Sequence, residues 1–362
     1  MDFTLNEEQQ AIAELADKIL GDLCPPEKLR LHEATDDPIL TAAWSELAKA
    51  DLVSVALPES AGGGGYGILE ACMVAEKVGR HVAPVPYAST LASAIVLGEL
   101  GVTDALAGVA DGSAVLTAAL SEGGAESPEI PATSAAAGGD SWQLTGEKRF
   151  VPFAGQAAAI LVPARVGEGD VALFLVDPST SGVRIHEEDA LWGLPQATVE
   201  LDGASAMRVG DADAVTRLIE VSTALACATV TGVCEGALRI TAAYVSEREQ
   251  FGAKIGTFQA VAQRIADSYI DTEGVRLTTL HAAWRLGAGL LASDELHIAK
   301  WWAAEAGHRV VHAAQHLHGG VGVDVDYPIH RYFRWAKTLE LQLGSASEHL
   351  RRLGQAIAAE PI

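Results

Sequence analysis

Two short segments carry residues whose types and spacing suit chemistry. The first is AAYVSEREQFGAKIGTFQAVAQRIAD, residues 242–267. It places Arg248, Gln250, a Phe251-Gly252 break and Gln259 at a corner between two helical runs. A guanidinium gives charge-assisted hydrogen bonds to phosphate and an aromatic ring offers a stacking face, so the corner could serve a nucleotide. A plain helix end with a solvated arginine would carry the same letters. The second segment is QHLHGGVGVDVDYPIHRYFRWAK, residues 315–337, where Gly319-Gly320 follows a helical run. Such a pair lets backbone approach a phosphate closely, although alone it is only a helix C-cap.

Other side chains carry weaker signals. His308, His312 and His316 recur every four residues and would share a helix face. Imidazoles one turn apart can chelate zinc, but no HExxH is present and no Cys or Asp obviously completes a ligand set. Interface packing or hydrogen bonding is the preferred reading, and no metal is expected. Cys24, Cys72, Cys227 and Cys234 form no CxxC pair. Cys227 and Cys234, seven apart, fit two thiols on one apolar helix face. Trp301, Trp302, Tyr327, Tyr332, Phe333 and Trp335 cluster near the second segment and read as core and subunit interface before substrate box. Arg331 and Arg334 read equally as buried ion-pair partners or as groups facing a cofactor.

The elements that must hold these residues follow from texture. Residues 1 to about 108 read as helices. Thr4 followed by Glu7 forms a capping box, and Leu5, Ile12, Leu15, Ile19 and Leu20 supply an apolar stripe until Pro25-Pro26. A Gly-rich turn at Ala61–Gly67 separates helical runs near 38–52 and 68–80, and Pro84 and Pro86 mark a rigid extended connection. Near Gly112 short apolar runs appear at 114–120, 158–164, 171–177 and 197–203, separated by Gly, Ser, Pro and Asp, which is strand-and-turn language. From about Ala214 long helical patterns return. A proline-free segment reaches Glu247, and another helix begins after Ser293 and ends at Gly319-Gly320, where positive φ carries no steric penalty.

Composition bounds the function. The chain has 362 residues, 49% hydrophobic and 20% charged, enough for two or three domains. Lys+Arg is 25 and Asp+Glu is 48, so the net charge is 25 − 48 = −23, which repels nucleic-acid phosphates and excludes nucleic acid as a main partner. The start MDFTLNEEQQ is no signal peptide. The apolar stretches at 82–98 and 221–234 are too broken or too short for a membrane span, so the expected location is cytoplasmic.

Taken together, in this order and spacing, the two segments resemble the acyl-CoA dehydrogenase family. PESAGGGGYG (58–67) and LTGEKRF (144–150) agree with its proline–glycine-rich turn and its central β-domain signature. The resemblance implies an α+β fold with an N-terminal helical domain (1–110), a central β-barrel-like domain (111–210) and a C-terminal four-helix bundle (211–362). It also implies FAD as cofactor. Arg248, Gln250, Phe251 and Gln259 would hold the adenosine-diphosphate half, with Gly319 and Gly320 against the same cofactor, reaching across a dimer interface to a flavin seated mainly on the neighbouring subunit. The family's glutamine position is occupied by His316, with Gln315 one place early.

The family's reaction is α,β-dehydrogenation of an acyl-CoA thioester: a glutamate removes an α-proton while the β-hydrogen leaves as hydride to the flavin. At the two positions where the family keeps that glutamate, this sequence has Leu343 (beside Gln342) and Ser222. Glu220 would lie about 200° around the helix from Ser222, and Glu340 is the remaining fallback. The family's Thr-Glu-Pro-x-x-Gly-Ser-Asp loop maps onto residues 121–128, where Glu122 and Ser127 survive and Glu126 places negative charge near an approaching phosphate. Its Trp-Ile-Thr/Ser is here Phe150-Val151-Pro152, and proline offers neither hydroxyl nor amide hydrogen. The half-site lent to a neighbour is thus largely kept and the chain's own half is degraded. That pattern is similar to the base-less subunit of actinobacterial α2β2 steroid side-chain acyl-CoA dehydrogenases, with Trp302–Phe333 especially alike.

The expectation is therefore a subunit with no catalytic residue of its own, inactive alone, that completes the FAD site of a base-bearing partner. The acyl-CoA, of steroid side-chain type, would bind at the partner site, and a flavoprotein would accept the electrons. A homo-oligomer acting as a self-sufficient dehydrogenase with a relocated base, a flavin-dependent monooxygenase or oxidase on the same fold, and a flavin-free scaffold are the alternatives.

Overall fold

In chain order the computed structural model, which describes residues 4–123, 127–139, 141–167 and 169–359, begins with five helices: α1 (Glu7–Leu23), α2 (Pro26–Glu33), α3 (Thr41–Lys49), α4 (Ile68–Arg80) and α5 (Tyr87–Glu99). Strands follow: β1 (Val115–Ala118), β2 (Ser134–Gly138), β3 (Ser141–Pro152), β4 (Ala157–Val166), β5 (Asp170–Val176), β6 (Val183–Glu188) and β7 (Gln196–Gly210). The chain then returns to helix with α6 (Ala212–Glu247), a two-stranded hairpin β8 (Glu249–Gln250) and β9 (Ala253–Lys254), and α7 (Gln259–Gly287), α8 (Ser293–His318), α9 (Ile329–Leu341) and α10 (Ala346–Ala359).

Several local expectations need correction. The capping box belongs to Asn6 and Gln9, whose side chains and backbone amides exchange hydrogen bonds, so α1 starts two residues later than a Thr4 cap would place it. Pro26 opens α2, where its missing amide hydrogen is an orphan in any case. Pro86 likewise precedes a new helix: α5 starts at Tyr87 and buries side chains from Tyr87 to Leu97. A helix apolar all round gives no periodic stripe, and that hid it from pattern reading.

The chain divides into two compact units, interleaved in sequence, with the last division at Ser222/Thr223 within α6. One unit comprises residues 37–71 and 84–222. Its sheet closes on itself, because β4 pairs β2, β2 pairs β3, β3 pairs β7, β7 pairs β5 and β5 pairs β4 again, while β1 and β6 attach to β4 and β7. Closure leaves few open edges, and Leu144, Val151, Ile160, Val162, Phe174 and Val199 fill the interior.

The other unit comprises residues 1–36, 72–83 and 223–362 and is helical. Arg80 reaches Asp17 and Glu235 at 3.3 Å each, and Arg276 reaches Glu235 at 3.0 Å and Glu76 at 3.5 Å, so one ionic network ties α1, α4, α6 and α7. By length and hydropathy α6 could cross a membrane, which the shorter stretch read from the sequence could not. However, 83% of its most apolar window is buried inside the protein.

Candidate functional site

The first cofactor candidate is built by the end of α6. Lys254 Nζ donates to the carbonyl of Glu247 at 2.9 Å, capping the helix, and pairs with Glu249 at 3.0 Å. The chain then reverses in the β8–β9 hairpin, whose turn residues Phe251 (φ 55°) and Gly252 (φ 79°) both take positive φ, as a two-residue turn with the right twist requires. Glycine adopts this freely. Phenylalanine does not, and such a conformation costs about 1–3 kcal/mol. The Phe251 ring is also 94% exposed, and its one ring contact among the described residues is with Phe258 at 6.4 Å. The Gln250 amide donates to Glu249's carbonyl at 2.8 Å. The exposed Arg248 guanidinium has no ion pair or hydrogen bond among the described residues. Gln259, also exposed, opens α7.

The second candidate lies where α8 ends. Gly319 takes φ 56° and ψ −132°, a backbone suited to glycine, while Gly320 needs no positive φ. A Cβ at either would meet nothing within 4 Å, so both present open backbone. Gln315 turns inward and its amide donates to the Gly322 carbonyl, closing the turn; His316 is the exposed neighbour. The two candidates are joined by three rings. Tyr244, one helical turn before Arg248, stacks on His318 at 4.5 Å, and Tyr327 meets their edges at 6.1 and 5.0 Å. The Arg248 end of α6 and the start of the Gly319-Gly320 turn are thereby held near one another. The His316 carbonyl accepts from the Gly319 amide at the end of α8, while no hydrogen bond or ring contact joins Gln259 to this cluster among the described residues. An unpaired cation, a bare aromatic face and open glycine backbone fit an anionic dinucleotide tail.

Leu343, at the first base position, sits in the turn after α9 at φ 62°. Two buried groups hold that turn. Lys300, 1% exposed, donates to the carbonyls of Leu339 (3.2 Å), Glu340 (3.0 Å) and Gly344 (3.0 Å), and burial brings its pKa down to about 8. His349 Nε2 donates to the Leu343 carbonyl at 2.9 Å. Its Nδ1 is then the bare nitrogen, accepting from His297 Nδ1 at 3.0 Å, and burial pushes its pKa down to about 4. The fallback base Glu340 is committed elsewhere: its carboxylate lies 2.6 Å from Lys337 Nζ and 3.2 Å from His308 Nδ1. Ser222 is half-buried. Burial raises the pKa of nearby Glu220, but Arg217 stands 4.0 Å from it, gripped by Glu99 at 2.7 and 2.9 Å.

In the barrel unit, Glu122 turns inward. Burial opposes its ionisation, yet the Lys148 ammonium at 2.5 Å and hydrogen bonds from Thr133 and Ala132 outweigh that and hold the pKa below the usual carboxylate value. Lys148 is fully buried and also donates to the Pro163 carbonyl at 2.8 Å. The surviving glutamate of the loop is thus a structural anchor. Glu126 lies outside the described residues. The Pro152 carbonyl accepts from Thr117 Oγ1 at 2.6 Å.

Comparison with known proteins bears on the family and the fold. Family models for the acyl-CoA dehydrogenase N-terminal, middle and C-terminal domains match residues 6–103, 117–203 and 212–358. Acyl-CoA dehydrogenase FadE27 of Mycobacterium tuberculosis is 41% identical, with both chains covered in full. The chain belongs to the acyl-CoA dehydrogenase family. Two solved structures lie near this acyl-CoA dehydrogenase. The Mycobacterium tuberculosis ChsE4–ChsE5 complex superposes with a TM-score of 0.95 at 39% identity over 100% of each chain. The Tcur3481–Tcur3483 steroid ACAD G363A variant gives 0.94 at 43% identity over 98% of this chain and 99% of that one. The fold is the family's, and membership makes the protein an oxidoreductase of an FAD-dependent family.

The remaining predicted residues of this acyl-CoA dehydrogenase have local explanations. Arg331 is buried in a bidentate pair with Glu33 at 2.6 and 2.7 Å, which settles its role as an ion-pair partner. Tyr332 and Trp335 are core, whereas Trp301 and Trp302 meet edge to face half-buried. His312 stacks on His308 at 3.9 Å and donates from Nδ1 to its carbonyl at 2.8 Å. No group of three metal-capable side chains occurs among the described residues. The cysteines are buried and form no disulfide among the described residues, with Cys227 and Cys234 pushed up to about 12 by burial. Sequence reasoning missed Lys300, His349 and the Tyr244–His318–Tyr327 cluster, since each works through packing between segments far apart in sequence.

Proposed function

We propose that this chain is a subunit of a heteromeric FAD-dependent acyl-CoA dehydrogenase, without a catalytic base of its own, that completes the cofactor site of a base-bearing partner. The observation that carries the reading is Phe251. It is strained and 94% exposed beside an arginine with no partner among the described residues, and nothing among those residues compensates either cost. An aromatic apolar groove of about 560 Å³ on the neighbouring faces of α6 and α7, lined by Leu238, Ala242, Ile265, Tyr269 and Ile270, supports a partner surface beside that corner.

In this reading Arg248 binds a phosphate of the FAD tail, Phe251 stacks, and Gly319-Gly320 offers backbone close to the same tail; His316, Gln250 and Gln259 line the approach. The flavin, when bound, supplies the hydride acceptor for the β-carbon. The α-proton goes to a carboxylate of the partner, because Leu343 and Ser222 cannot take it and Glu340 is tied to Lys337 and His308. The steroid ACAD among the similar structures supports a bulky steroid-type thioester as substrate, and the ChsE4–ChsE5 complex supports a second, unlike chain as partner; the location in this reading is the cytoplasm.

The test is expression alone and together with a base-bearing relative, with bound flavin and dye-coupled turnover measured in both. The reading expects neither in the lone chain and both in the pair. Flavin retention and dehydrogenation by the chain alone contradict it. A relocated base is the second reading, favoured only by the raised pKa of Glu220, and there Glu220→Gln should abolish an activity already present in the lone chain.

A further inference from the structure

Three rings within the two cofactor segments, one from the first and two from the second, pack against one another. Tyr244 comes from the last turns of α6, His318 ends α8, and Tyr327 lies in the segment before α9. Tyr244 stacks on His318 at 4.5 Å and 26°, its hydroxyl reaches the His318 carbonyl at 3.5 Å, and Tyr327 closes on both rings. His318 is 2% exposed. Its Nδ1 donates to the Ala314 carbonyl at 2.7 Å, which leaves Nε2 as a bare acceptor, and that nitrogen is buried with no donor among the described residues.

The position of the knot matters more than its chemistry. Arg248 lies one turn beyond Tyr244, and its backbone amide donates to the Tyr244 carbonyl at 2.9 Å. Gly319 is bonded directly to His318. A shift of the Tyr244–His318 stack therefore moves the guanidinium and the open glycine backbone relative to each other. Two groups that must grip one rigid anion depend on that spacing, because misplacement by a fraction of an ångström loses hydrogen-bond geometry. We propose that Tyr244, His318 and Tyr327 are positioning residues that set the affinity of this chain for the dinucleotide tail of FAD, by fixing the distance between the Arg248 corner and the Gly319-Gly320 turn. The proposal rests on the reading that these two segments bind that tail.

The experiment uses the complex of this chain with its base-bearing partner, stripped of flavin and titrated with FAD while flavin fluorescence is followed. Melting of the flavin-free complex is recorded alongside. His318→Ala and Tyr327→Leu are expected to weaken FAD about tenfold, and His318→Phe, which keeps a stacking ring, to stay within about twofold of wild type. Combined with Arg248→Ala, the His318→Ala change should add little, because its effect passes through the arginine. A purely structural cluster would lower melting and leave FAD affinity per folded complex unchanged, which would overturn the inference; so would full additivity of the pair. If His318→Ala does not assemble, Tyr327→Leu and His318→Phe decide. Should Arg248→Ala itself leave FAD affinity intact, the underlying reading of the site fails. Should it weaken FAD while His318→Ala and Tyr327→Leu do not, only the positioning role fails.

Discussion

The corner at the end of α6 and the barrel segment around Glu122 treat their polar groups in opposite ways. At the corner, Arg248 is left without a partner among the described residues and Phe251 is held strained in solvent. In the barrel, Glu122 is folded inward onto Lys148, with Thr133 and Ala132 donating to the same carboxylate. A buried pair needs nothing beyond the chain to explain it. An exposed, strained aromatic beside a bare cation has no such internal explanation, and under the proposed function it is the surface offered to another molecule. The difference separates what this polypeptide keeps for its own fold from what it offers outward.

The largest test breaks the barrel side. Lys148→Met strands the Glu122 carboxylate in the interior and should lower unfolding free energy by about 3–5 kcal/mol in urea titration, with Glu122→Leu added to it recovering most of the loss. A cost near zero would mean the pair is not an anchor. The next effect concerns the Leu343 turn. His349 has a folded-state pKa of about 4 against 6.5 in the unfolded chain, so the unfolded state binds more protons between those values and stability rises with pH there. Its contribution is complete above the unfolded pKa and is lost on acidification toward 4. Denaturation at pH 6.5 and 5 should differ by about 2 kcal/mol more in wild type than in His349→Gln.

A smaller change sharpens the corner side. Phe251→Asn places the residue preferred in such a turn and should stabilise the flavin-free chain by about 1 kcal/mol while weakening FAD binding in the complex. Opposite signs in the two measurements would express the trade between fold and site; a loss in both would contradict it. Least of all, Leu343→Glu should alter stability by less than about 1 kcal/mol and leave the lone chain inactive, since the residue returned is one of several that differ.

Much of this was readable in the sequence, for physical reasons. The Gly-Gly after α8 and the Arg-x-Gln-Phe-Gly corner could be placed because local backbone needs dictate them, and β1, β4, β5 and β7 fall on apolar runs bounded by turn residues. α5 escaped because a fully buried helix has no stripe, and the Thr4 cap was displaced to Asn6 because Gln9 reciprocates there. The inward turn of Glu122, the Lys300 and His349 clamp on the Leu343 turn, and the knot of Tyr244, His318 and Tyr327 depend on tertiary meetings that spacing cannot encode.

The central claim is that this chain grips the flavin on behalf of another. The direct measurement is flavin content and turnover of a complex in which only this chain carries Arg248→Ala and the base-bearing partner is unaltered. Loss of flavin, with turnover falling in proportion and assembly intact, is the predicted result. Undiminished flavin and turnover in that complex would contradict the account.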